Sequence, residues 1–425
     1  MTLRLRLLPL ALLIAAPALA DTVVIRAARV IVDASAPARG PSSIVVTDGR
    51  IVSVGAADAA VPAGARVIDL GNVTVMPGLI DAHVHLTSTP GAPLVSEAQD
   101  TDERGVAVGL HNALITARAG FTTVRDLGSA RLTGFAIRDA IAEGLLPGPR
   151  VIASGPAVSI IGGHGDFSGF RPDVNAVLAQ GNTCTGSDQC AARVREASQR
   201  GADVIKITAT GGVLSQQGRG LGQHFTDAEM KSIVDTAHGL GLKVAAHAHG
   251  ARGVEAAARA GVDSIEHGVF ADDAAVKAMI ANKTWYVPTL MALQGIDERV
   301  GKNVYTPVVE KKVRETLTVR GKALAAAVKA GVRVAWGTDA GVFAHGRNGE
   351  EGLQMAKYGG MTPKAVLIAG TTGSAELLGI AGETGTLTPG KAADIIAVDG
   401  DPLADVAALT RVRFVMAAGR VIPMQ

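Results

Sequence analysis

The middle of the chain, residues 76–380, alternates apolar runs of strand length with alanine-rich runs of helical period. Such alternation predicts successive parallel β-α-β units. The candidate strands are Val75–Leu86, Thr122–Leu127, Arg150–Val158, Val204–Thr210, Lys243–His249, Ser264–Val269, Trp285–Leu290 and Arg333–Asp339. The clearest helical runs are Ala191–Arg200, Asp227–Leu240, Gly253–Ala260, Asp272–Ala281 and Val309–Ala330.

Eight such strands predict an α/β fold, a (β/α)₈ TIM barrel, which takes about 250 residues before loop insertions. An open, doubly wound sheet is the alternative arrangement of the same units. The alternative has less support, because no glycine-rich dinucleotide fingerprint follows the first strand.

Both ends of the chain are rich in β-branched residues and turns. Segments of this kind are residues 22–32, 43–54, 394–398 and 413–422. The second of them carries an Asp-Gly dipeptide between two alternating runs, which predicts a hairpin. Because two β-rich ends flank a different middle, we expect residues 21–75 and 381–425 to form one small β-sandwich domain beside a barrel of residues 76–380.

The first twenty residues have the composition of a cleavable secretory signal. Arg4 and Arg6 precede an apolar run over residues 7–16, and Ala18-Leu19-Ala20 offers a small-x-small cleavage site. The apolar run is shorter than the roughly 20 residues that span a bilayer. We therefore expect a secreted, periplasmic protein, with a buried N-terminal helix as the alternative.

The charge balance argues against polyanionic partners. The chain has 41 Lys and Arg residues against 39 Asp and Glu residues, and removal of the segment with Arg4 and Arg6 leaves equal numbers. A protein without net charge has no excess of positive charge to attract nucleic acid or an anionic membrane. No other apolar run is long enough to span a membrane. The expected partners are small molecules and copies of this chain.

The sequence has two cysteines, Cys184 and Cys190, in a polar Gly/Ser/Asn-containing segment. In an oxidising compartment such a close pair predicts a disulfide that restricts the conformation of the loop. Two free thiols are the alternative. A cysteine-only metal site is disfavoured, because no further cysteine exists to complete it.

Polar residues interrupt the candidate barrel strands, mostly at their C-terminal ends. They are His83, His85, Lys206, His247, His249, Glu266, His267 and Asp339. Two histidines at i and i+2 of a strand point to the same face. Barrel enzymes assemble their chemistry at the C-terminal ends of several strands. The distribution of these groups over five strands is therefore the main functional signal.

A metal ion explains this convergence better than protein packing does. A single His-x-His pair is more often surface or core than ligand, and we interpret His111 and His238, within helical runs, as ordinary residues. Burying many polar groups without partners would cost several kcal/mol. Imidazole and carboxylate groups together suit zinc.

Lys206 bears on whether the site holds one metal or two. It lies in an apolar strand, where desolvation lowers the pKa of a lysine and favours the neutral amine. A neutral amine can react with CO₂ to give a carbamate, whose two oxygens can each bind a cation. The alternative is an ion pair between Lys206 and a neighbouring carboxylate such as Glu266.

The chain resembles the amidohydrolase superfamily, in particular its secreted prolidase-like and imidazolonepropionase-like branch, which includes ochratoxin-hydrolysing amidohydrolases. The resemblance covers essentially the whole chain after residue 20. It rests on Met76-Pro-Gly-Leu-Ile-Asp-Ala-His83-Val-His85, Asp203-Val-Ile-Lys206-Ile, His247-Ala-His249-Gly, Ile265-Glu-His267-Gly, Gly337-Thr-Asp339 and Gly385-Thr-Leu-Thr-Pro-Gly-Lys-Ala-Ala-Asp394.

The resemblance implies a carbamylated Lys206 that, together with a hydroxide, bridges two Zn²⁺ ions. It assigns one zinc ion to His83, His85 and Asp339, and the other to His247 and His267. Such a pair of cations brings the pKa of a bridging water toward neutrality and polarises the scissile carbonyl. The resemblance also implies a homo-oligomer, such as an octamer.

Two residues are expected to act directly in catalysis. Asp339 can take the proton of the attacking water and pass it to the leaving amine. His249 lies two residues beyond His247 on the same strand face, and we assign it to the substrate carbonyl or oxyanion, with loop packing as the alternative.

The expected substrates are N-acyl amino acids or dipeptides, such as those with C-terminal proline, and ochratoxin A, which would give ochratoxin α and phenylalanine. His164, after the third strand, is a candidate substrate contact. Arg219, in a glycine-rich loop, is the candidate anchor for the substrate carboxylate, and Arg347 is the alternative anchor.

Three other functions remain open at this stage. A mononuclear deaminase on the same barrel would lack the bridging lysine, and a hydantoinase-type cyclic amidase would share the two-metal site. A non-catalytic periplasmic binding protein would have no need of Asp339 beside the metals. Metal-dependent turnover separates the binding protein from the enzymes.

Overall fold

The computed structural model describes residues 21–92, 95–167, 169–216 and 220–425. The predicted signal segment, residues 1–20, lies outside them. The strands are β1 Thr22–Ala27, β2 Arg29–Val30, β3 Ser42–Thr47, β4 Arg50–Ala56, β5 Arg66–Asp69, β6 Thr74–Pro77, β7 Leu79–Val84, β8 Phe121–Asp126, β9 Arg150–Ala153, β10 Val204–Thr208, β11 Lys243–Ala248, β12 Ser264–His267, β13 Trp285–Val287, β14 Ile395–Val398, β15 Val412–Ala417 and β16 Arg420–Val421.

Helices follow most strands of the middle segment, as the alternating pattern predicts. They are α1 Ser96–Gln99, α2 Asp102–Arg118, α3 Thr133–Ala142, α4 Pro172–Leu178, α5 Ser187–Gln199, α6 Asp227–Gly239, α7 Ala251–Ala260, α8 Asp273–Ala281, α9 Leu290–Asp297, α10 Pro307–Leu317, α11 Lys322–Ala330, α12 Glu350–Gly359, α13 Pro363–Ile368 and α14 Ser374–Leu378, with a π-helical turn at Ala369–Gly373 and a 3₁₀ turn at Val406–Thr410. Among the described residues, no helix combines the length and apolarity needed to cross a bilayer.

The middle strands form two parallel sheets, in the orders β7-β8-β9 and β10-β11-β12-β13. Isolated parallel bridges connect strands of these sheets to segments outside them. Val158 bridges to Ile207 of β10, Val334 to Tyr286 of β13, and Ala340 to Val84 of β7. The architecture is α/β and TIM-barrel-like. The segment predicted as a strand at residues 333–339 is irregular, but it lies between β7 and β13: the Ala335 amide donates to the Tyr286 carbonyl at 3.0 Å, and the Ala82 amide donates to the Trp336 carbonyl at 2.8 Å. Its last residue, Asp339, has a φ of 62°, which ends the extended conformation.

The predicted first strand, Val75–Leu86, is two strands in the structure. β6 pairs with β14 of the chain-end region, whereas β7 pairs with β8. Gly78 separates them, and a Cβ at this position would lie 2.1 Å from Thr122 Oγ1. The chain passes between sheets where a side chain has no room, and the expected domain boundary at residue 75 falls inside β6.

Other boundaries also differ from the sequence prediction. The long helix predicted over residues 309–330 is divided: α10 ends at Leu317, and α11 begins at Lys322, directly after Gly321, whose φ of 74° lies outside the right-handed helical region. The third strand stops at Ala153. The seventh stops at Val287, because Thr289 has a left-handed φ of 48° and α9 begins at Leu290.

The two chain ends contribute two further sheets, in the orders β4-β3-β1-β5 and β16-β15-β14-β6-β2. The predicted hairpin is confirmed, with Asp48 and Gly49 both at positive φ between β3 and β4. Buried residues of both sheets belong to one apolar cluster, among them Val23, Ile25, Ile44, Val46, Val75, Ile395 and Met416.

The predicted disulfide between Cys184 and Cys190 is also confirmed. It joins the first turn of α5 to the segment before it. Both cysteines are buried in the large apolar cluster that packs the helices against the parallel strands.

Candidate active site

His83 and His85 lie at the carboxyl end of β7, and Asp339 lies on the neighbouring segment. The Asp339 Oδ1 atom is 3.4 Å from His83 Nε2 and 3.2 Å from His85 Nε2. His83 is fully buried, and the His85 side chain is 25% exposed. Among the described residues these three form a group whose ligand atoms all lie within 4.8 Å of one another, as a metal site requires.

Hydrogen bonds fix the orientation of both histidine rings. His83 Nδ1 donates to Glu266 at 2.8 Å, and His85 Nδ1 donates to the Gly128 carbonyl at 3.0 Å. The Nε2 atoms are therefore directed toward Asp339, as in metal sites whose histidines are held by a second partner. Burial lowers the pKa of His83 to about 4, so its ring is neutral at physiological pH.

A buried polar layer supports this end of the site. Glu266 also accepts a hydrogen bond from Arg125 at 2.9 Å. Burial raises the pKa of Glu266, but Arg125, His83 and Lys206 together lower it to about 2. Asp81 accepts bonds from the Thr338 hydroxyl at 2.7 Å and from the Asn348 amide at 2.8 Å. The sequence analysis gave no role to these supporting residues: Thr338 lies within the Gly337-Thr-Asp339 motif without a function of its own, and no motif spacing marks Arg125 or Asn348.

Lys206 points into the same site from β10 and is only 4% exposed. Its Nζ lies 3.4 Å from His83 Nε2. Burial lowers the pKa of Lys206 to about 8, which increases the neutral fraction of the amine. Among the residues that the structure describes, Lys206 has no carboxylate within 4.0 Å, and Glu266, the expected alternative partner, pairs with Arg125 and His83 instead.

Four further histidines cluster on the other side of Lys206. The ring centroids of His247 and His267 are 4.7 Å apart, and His249 stacks on His267 at 5.0 Å. His164 lies 4.2 Å from His247, centroid to centroid. Burial lowers the pKa of each of these four rings, so all are neutral at physiological pH.

Hydrogen bonds occupy one nitrogen on three of these rings. His247 Nε2 donates to the Gly211 carbonyl at 3.2 Å, and His267 Nδ1 bonds the Thr289 hydroxyl at 2.7 Å. His164 Nδ1 bonds the Ser215 hydroxyl at 2.6 Å. His249 Nδ1 is buried and has no hydrogen-bond partner among the described residues.

Three site residues have left-handed backbone conformations. The φ angles of His267, Thr289 and Asp339 are 69°, 48° and 62°. Each such conformation costs a non-glycine residue about 1–3 kcal/mol, and strain of this kind is concentrated at functional sites. The surrounding hydrogen bonds hold these side chains in place despite the cost.

The site opens into a cavity of about 1270 Å³. Sequence-predicted residues that line it are His85, His164, Lys206, His247, His249, His267 and Asp339. His83 lies beneath this surface. The structure thus brings together the predicted metal ligands with His249 and His164. The candidate anchor Arg219 lies outside the described residues.

The other basic and histidine candidates are elsewhere. Arg347 does not fit the role of carboxylate anchor, because it pairs with Glu298 at 3.0 Å and with Glu350 at 2.8 Å and does not line the cavity. His111 is exposed on α2, and His238 pairs with Asp263 on the surface, which agrees with the ordinary roles predicted for both.

The donor set fits divalent cations. Neutral imidazoles and a carboxylate converge from several strands, with a buried amine between the two groups of histidines. Without a bound cation, the nitrogen and oxygen atoms of these side chains that make no hydrogen bond would be buried without a partner, which is unfavourable. Imidazole and carboxylate ligands are those that zinc commonly takes.

Comparison with known proteins agrees with this fold and site. The amidohydrolase family profile matches residues 74–422. The chain belongs to the amidohydrolase family and is a hydrolase that acts on amide bonds, in a family that is typically metal-dependent.

Individual relatives are similar over most of the chain. It is 33% identical over 357 residues to the ochratoxinase of Aspergillus niger, covering 78% of this chain and 71% of that protein. A crystal structure of a Xaa-Pro dipeptidase with bound methionine has a TM-score of 0.86 and 35% identity, covering 94% of this chain and 99% of the other. A prolidase complexed with N-methylphosphonate-L-proline has a TM-score of 0.86 and 30% identity, covering 95% and 100%.

Proposed function

We propose that this protein is a binuclear-metal amidohydrolase that cleaves the amide bond of N-acyl amino acids or dipeptides. The observation that carries the proposal is the position of Lys206, buried between the His83 group and the His247–His267 pair without a carboxylate partner among the described residues. A carbamate at Lys206 would give two oxygens at the junction of two metal sites. A mononuclear deaminase has no use for such a group.

The residues fit two zinc ions. His83, His85 and Asp339 would hold one ion, His247 and His267 the other, and a carbamylated Lys206 would bridge them. When bound, the ions supply Lewis acidity and lower the pKa of water. His247 and His267 would use the nitrogens opposite those bonded to the Gly211 carbonyl and the Thr289 hydroxyl.

The chain's own residues account for the proton transfers. Burial raises the pKa of Asp339, but the neighbouring His83, His85 and Lys206 together lower it below its usual value, so Asp339 is a carboxylate at physiological pH. Asp339 can take a proton from a water molecule while the water oxygen bonds to the amide carbon. It can then pass that proton to the amide nitrogen as the C–N bond breaks. His249 lines the cavity and is proposed to contact the carbonyl oxygen, with His164 as a second substrate contact.

The substrate class is supported by the relatives and by the cavity. The names of the similar proteins describe hydrolysis of ochratoxin and of Xaa-Pro dipeptides. In each case the leaving amine is an amino acid. The cavity of about 1270 Å³ is large enough for a bulky acyl group, so an ochratoxin-like amide of phenylalanine is a candidate beside Xaa-Pro dipeptides.

The test combines metal analysis with turnover. The purified protein should contain two zinc-like ions per chain, lose activity to a chelator and recover it with added zinc. A panel of N-acyl amino acids, Xaa-Pro dipeptides, cyclic amides and aminopurines identifies the reaction. One metal ion per fully active chain would exclude the binuclear site, and turnover of only cyclic amides or aminopurines would exclude the proposed substrate class.

We further propose that residues 1–20 are removed on export to the periplasm, that the chain-end sheets form a β-sandwich domain, and that the protein is a homo-oligomer. The shared apolar cluster supports the sandwich. N-terminal sequencing of the exported protein and light scattering of the purified protein test the other two proposals.

A further inference from the structure

Among the described residues, three arginines line the cavity, and they differ in their partners. Arg104 pairs with Asp100 at 2.9 Å, and Arg131 pairs with Asp102 at 2.7 Å. Arg299, within the part of the chain that the structure describes, has no carboxylate within 4.0 Å. It is half-buried, and although its charge helps to lower the pKa of the neighbouring Glu298, that carboxylate pairs with Arg347.

Backbone contacts hold Arg299 at a fixed place. Its Nη1 donates to the Gly295 carbonyl at 3.0 Å and to the Val342 carbonyl at 2.7 Å. The Val342 amide in turn donates to the Asp339 carbonyl at 3.1 Å. Arg299 is thus two hydrogen bonds away from the backbone of the proposed catalytic carboxylate, and its guanidinium is already ordered before any ligand binds.

The Nε side of Arg299 faces the loop that follows His85. A Cβ at Gly91 would lie 3.6 Å from Arg299 Nε. The Tyr305 hydroxyl is a further neighbour, since Arg299 opposes the burial that raises the pKa of Tyr305. Arg299 therefore lies between the loops that follow two of the proposed metal-binding segments, beside the Tyr305 hydroxyl, which donates to the Ile296 carbonyl at 3.3 Å.

The cavity wall around Arg299 is apolar. Lining residues on this side include Leu293, Ile296, Val304, Val309 and Val342. Apolar surroundings strengthen a charge-assisted hydrogen bond, because they reduce competition from water. They also suit the side chain of a proline or an aromatic amino acid.

We propose that Arg299 binds the α-carboxylate of the leaving amino acid. This inference rests on the proposed function and identifies the residue that makes the enzyme select amides with a free carboxylate. Arg suits this ligand because its planar guanidinium can donate two parallel hydrogen bonds to a carboxylate. Arg299 would then supply the anchor that the sequence placed at Arg219 or Arg347.

The experiment compares N-acyl-L-phenylalanine with its C-terminal primary amide, following release of the acyl group. Wild-type enzyme should prefer the carboxylate substrate in kcat/KM, and Arg299→Met should reduce that preference about 10- to 100-fold, mainly through KM, as expected for hydrogen bonds to a charged group. Free L-phenylalanine, a product, should inhibit Arg299→Met correspondingly less well. Arg299→Lys should keep part of the preference, because lysine keeps the positive charge but cannot donate two parallel hydrogen bonds to the carboxylate.

Arg104→Met is the matched control, since it removes a cavity arginine that already has an acidic partner, and it should retain the wild-type preference. Zinc content, measured on each variant, shows whether the metal site is intact. The inference is overturned if Arg299→Met retains both the preference and the inhibition by L-phenylalanine. It is also overturned if wild-type enzyme hydrolyses both substrates equally, although metal-dependent amide hydrolysis would then still support the proposed function.

Discussion

At the scale of single residues, Lys206 is the most informative position. If it acts as a carbamate, Lys206→Ala should lose at least about 99% of activity, because removal of a bridging ligand typically costs more than the 10- to 100-fold loss seen for supporting residues. Short carboxylic acids such as propionate should restore part of it, since they can take the place of the carbamate. The measurement is kcat/KM at increasing propionate concentration.

Lys206→Arg is the control for charge. It retains a cation but cannot form a carbamate, so it should remain inactive with or without propionate. Full activity of this variant would show that Lys206 serves only as an ion-pair partner.

Thr289 gives a prediction about a supporting residue. Its hydroxyl bonds His267 Nδ1 at 2.7 Å and is buried. Thr289→Val keeps the branched shape but removes this partner, so zinc affinity should fall about 10- to 100-fold. Competition with a chromophoric chelator measures the affinity. Thr289→Ser retains the hydroxyl and should bind zinc nearly as wild type does, whereas equal losses in both variants would point to backbone strain instead.

Most of the site residues that the sequence identified share one property, which is a polar side chain at the end of an apolar strand. This is true of His83, His247 and Asp339. Residues that support them, such as Arg125 and Thr289, could not be found in this way. Thr289 meets His267 from 22 positions away in the chain, and neither a period nor a motif links them.

At the scale of elements, alternation predicted the strands and helices but not every boundary. The sequence predicts a single strand over residues 75–86, but both β6 and β7 are buried along their whole length. A run that is buried throughout carries no period from which to place a break. Only packing shows that the chain changes sheets at Gly78.

Helix α10 gives a prediction at this scale, because it supports a loop of the site. The buried Lys312 Nζ donates to the Gly212 carbonyl at 2.8 Å and to the Ser215 carbonyl at 2.6 Å. The same loop bonds His164 and His247. Lys312→Met keeps the apolar stem but leaves two carbonyls without a donor, so the free energy of unfolding should fall by about 1–3 kcal/mol.

Urea denaturation measures this change. Lys311→Met is the matched control, because Lys311 is the adjacent, exposed residue of the same helix. It should alter the free energy of unfolding by no more than about 0.5 kcal/mol. Equal stability of the two variants would contradict the role given to Lys312.

At the scale of the whole molecule, the pattern of the sequence predicted an α/β fold with β-rich ends, and the structure has both features. The chain-end strands could be predicted because they differ in period from the middle. Their pairing across the chain could not be read from any local pattern, since β6 and β14 are more than 300 residues apart. Their partnership depends on the common apolar core.

The whole molecule should also depend on its metals for stability. The proposed ligands come from segments as distant in sequence as β7 and the residues around Asp339, so the ions can bind only the folded chain. Such binding stabilises the folded state by mass action. The gain is about 2.7 kcal/mol when the free zinc concentration is 100 times the dissociation constant. Removal of metal by a chelator should therefore lower the thermal unfolding temperature by several degrees, and added zinc should restore it. Differential scanning fluorimetry over a zinc titration measures the shift. Asp339→Asn weakens the ligand set and should reduce the shift, whereas Asp102→Asn changes an acid that lines the same cavity outside the ligand set and should leave it intact. A wild-type unfolding temperature that does not respond to zinc would contradict a metal site built across these strands.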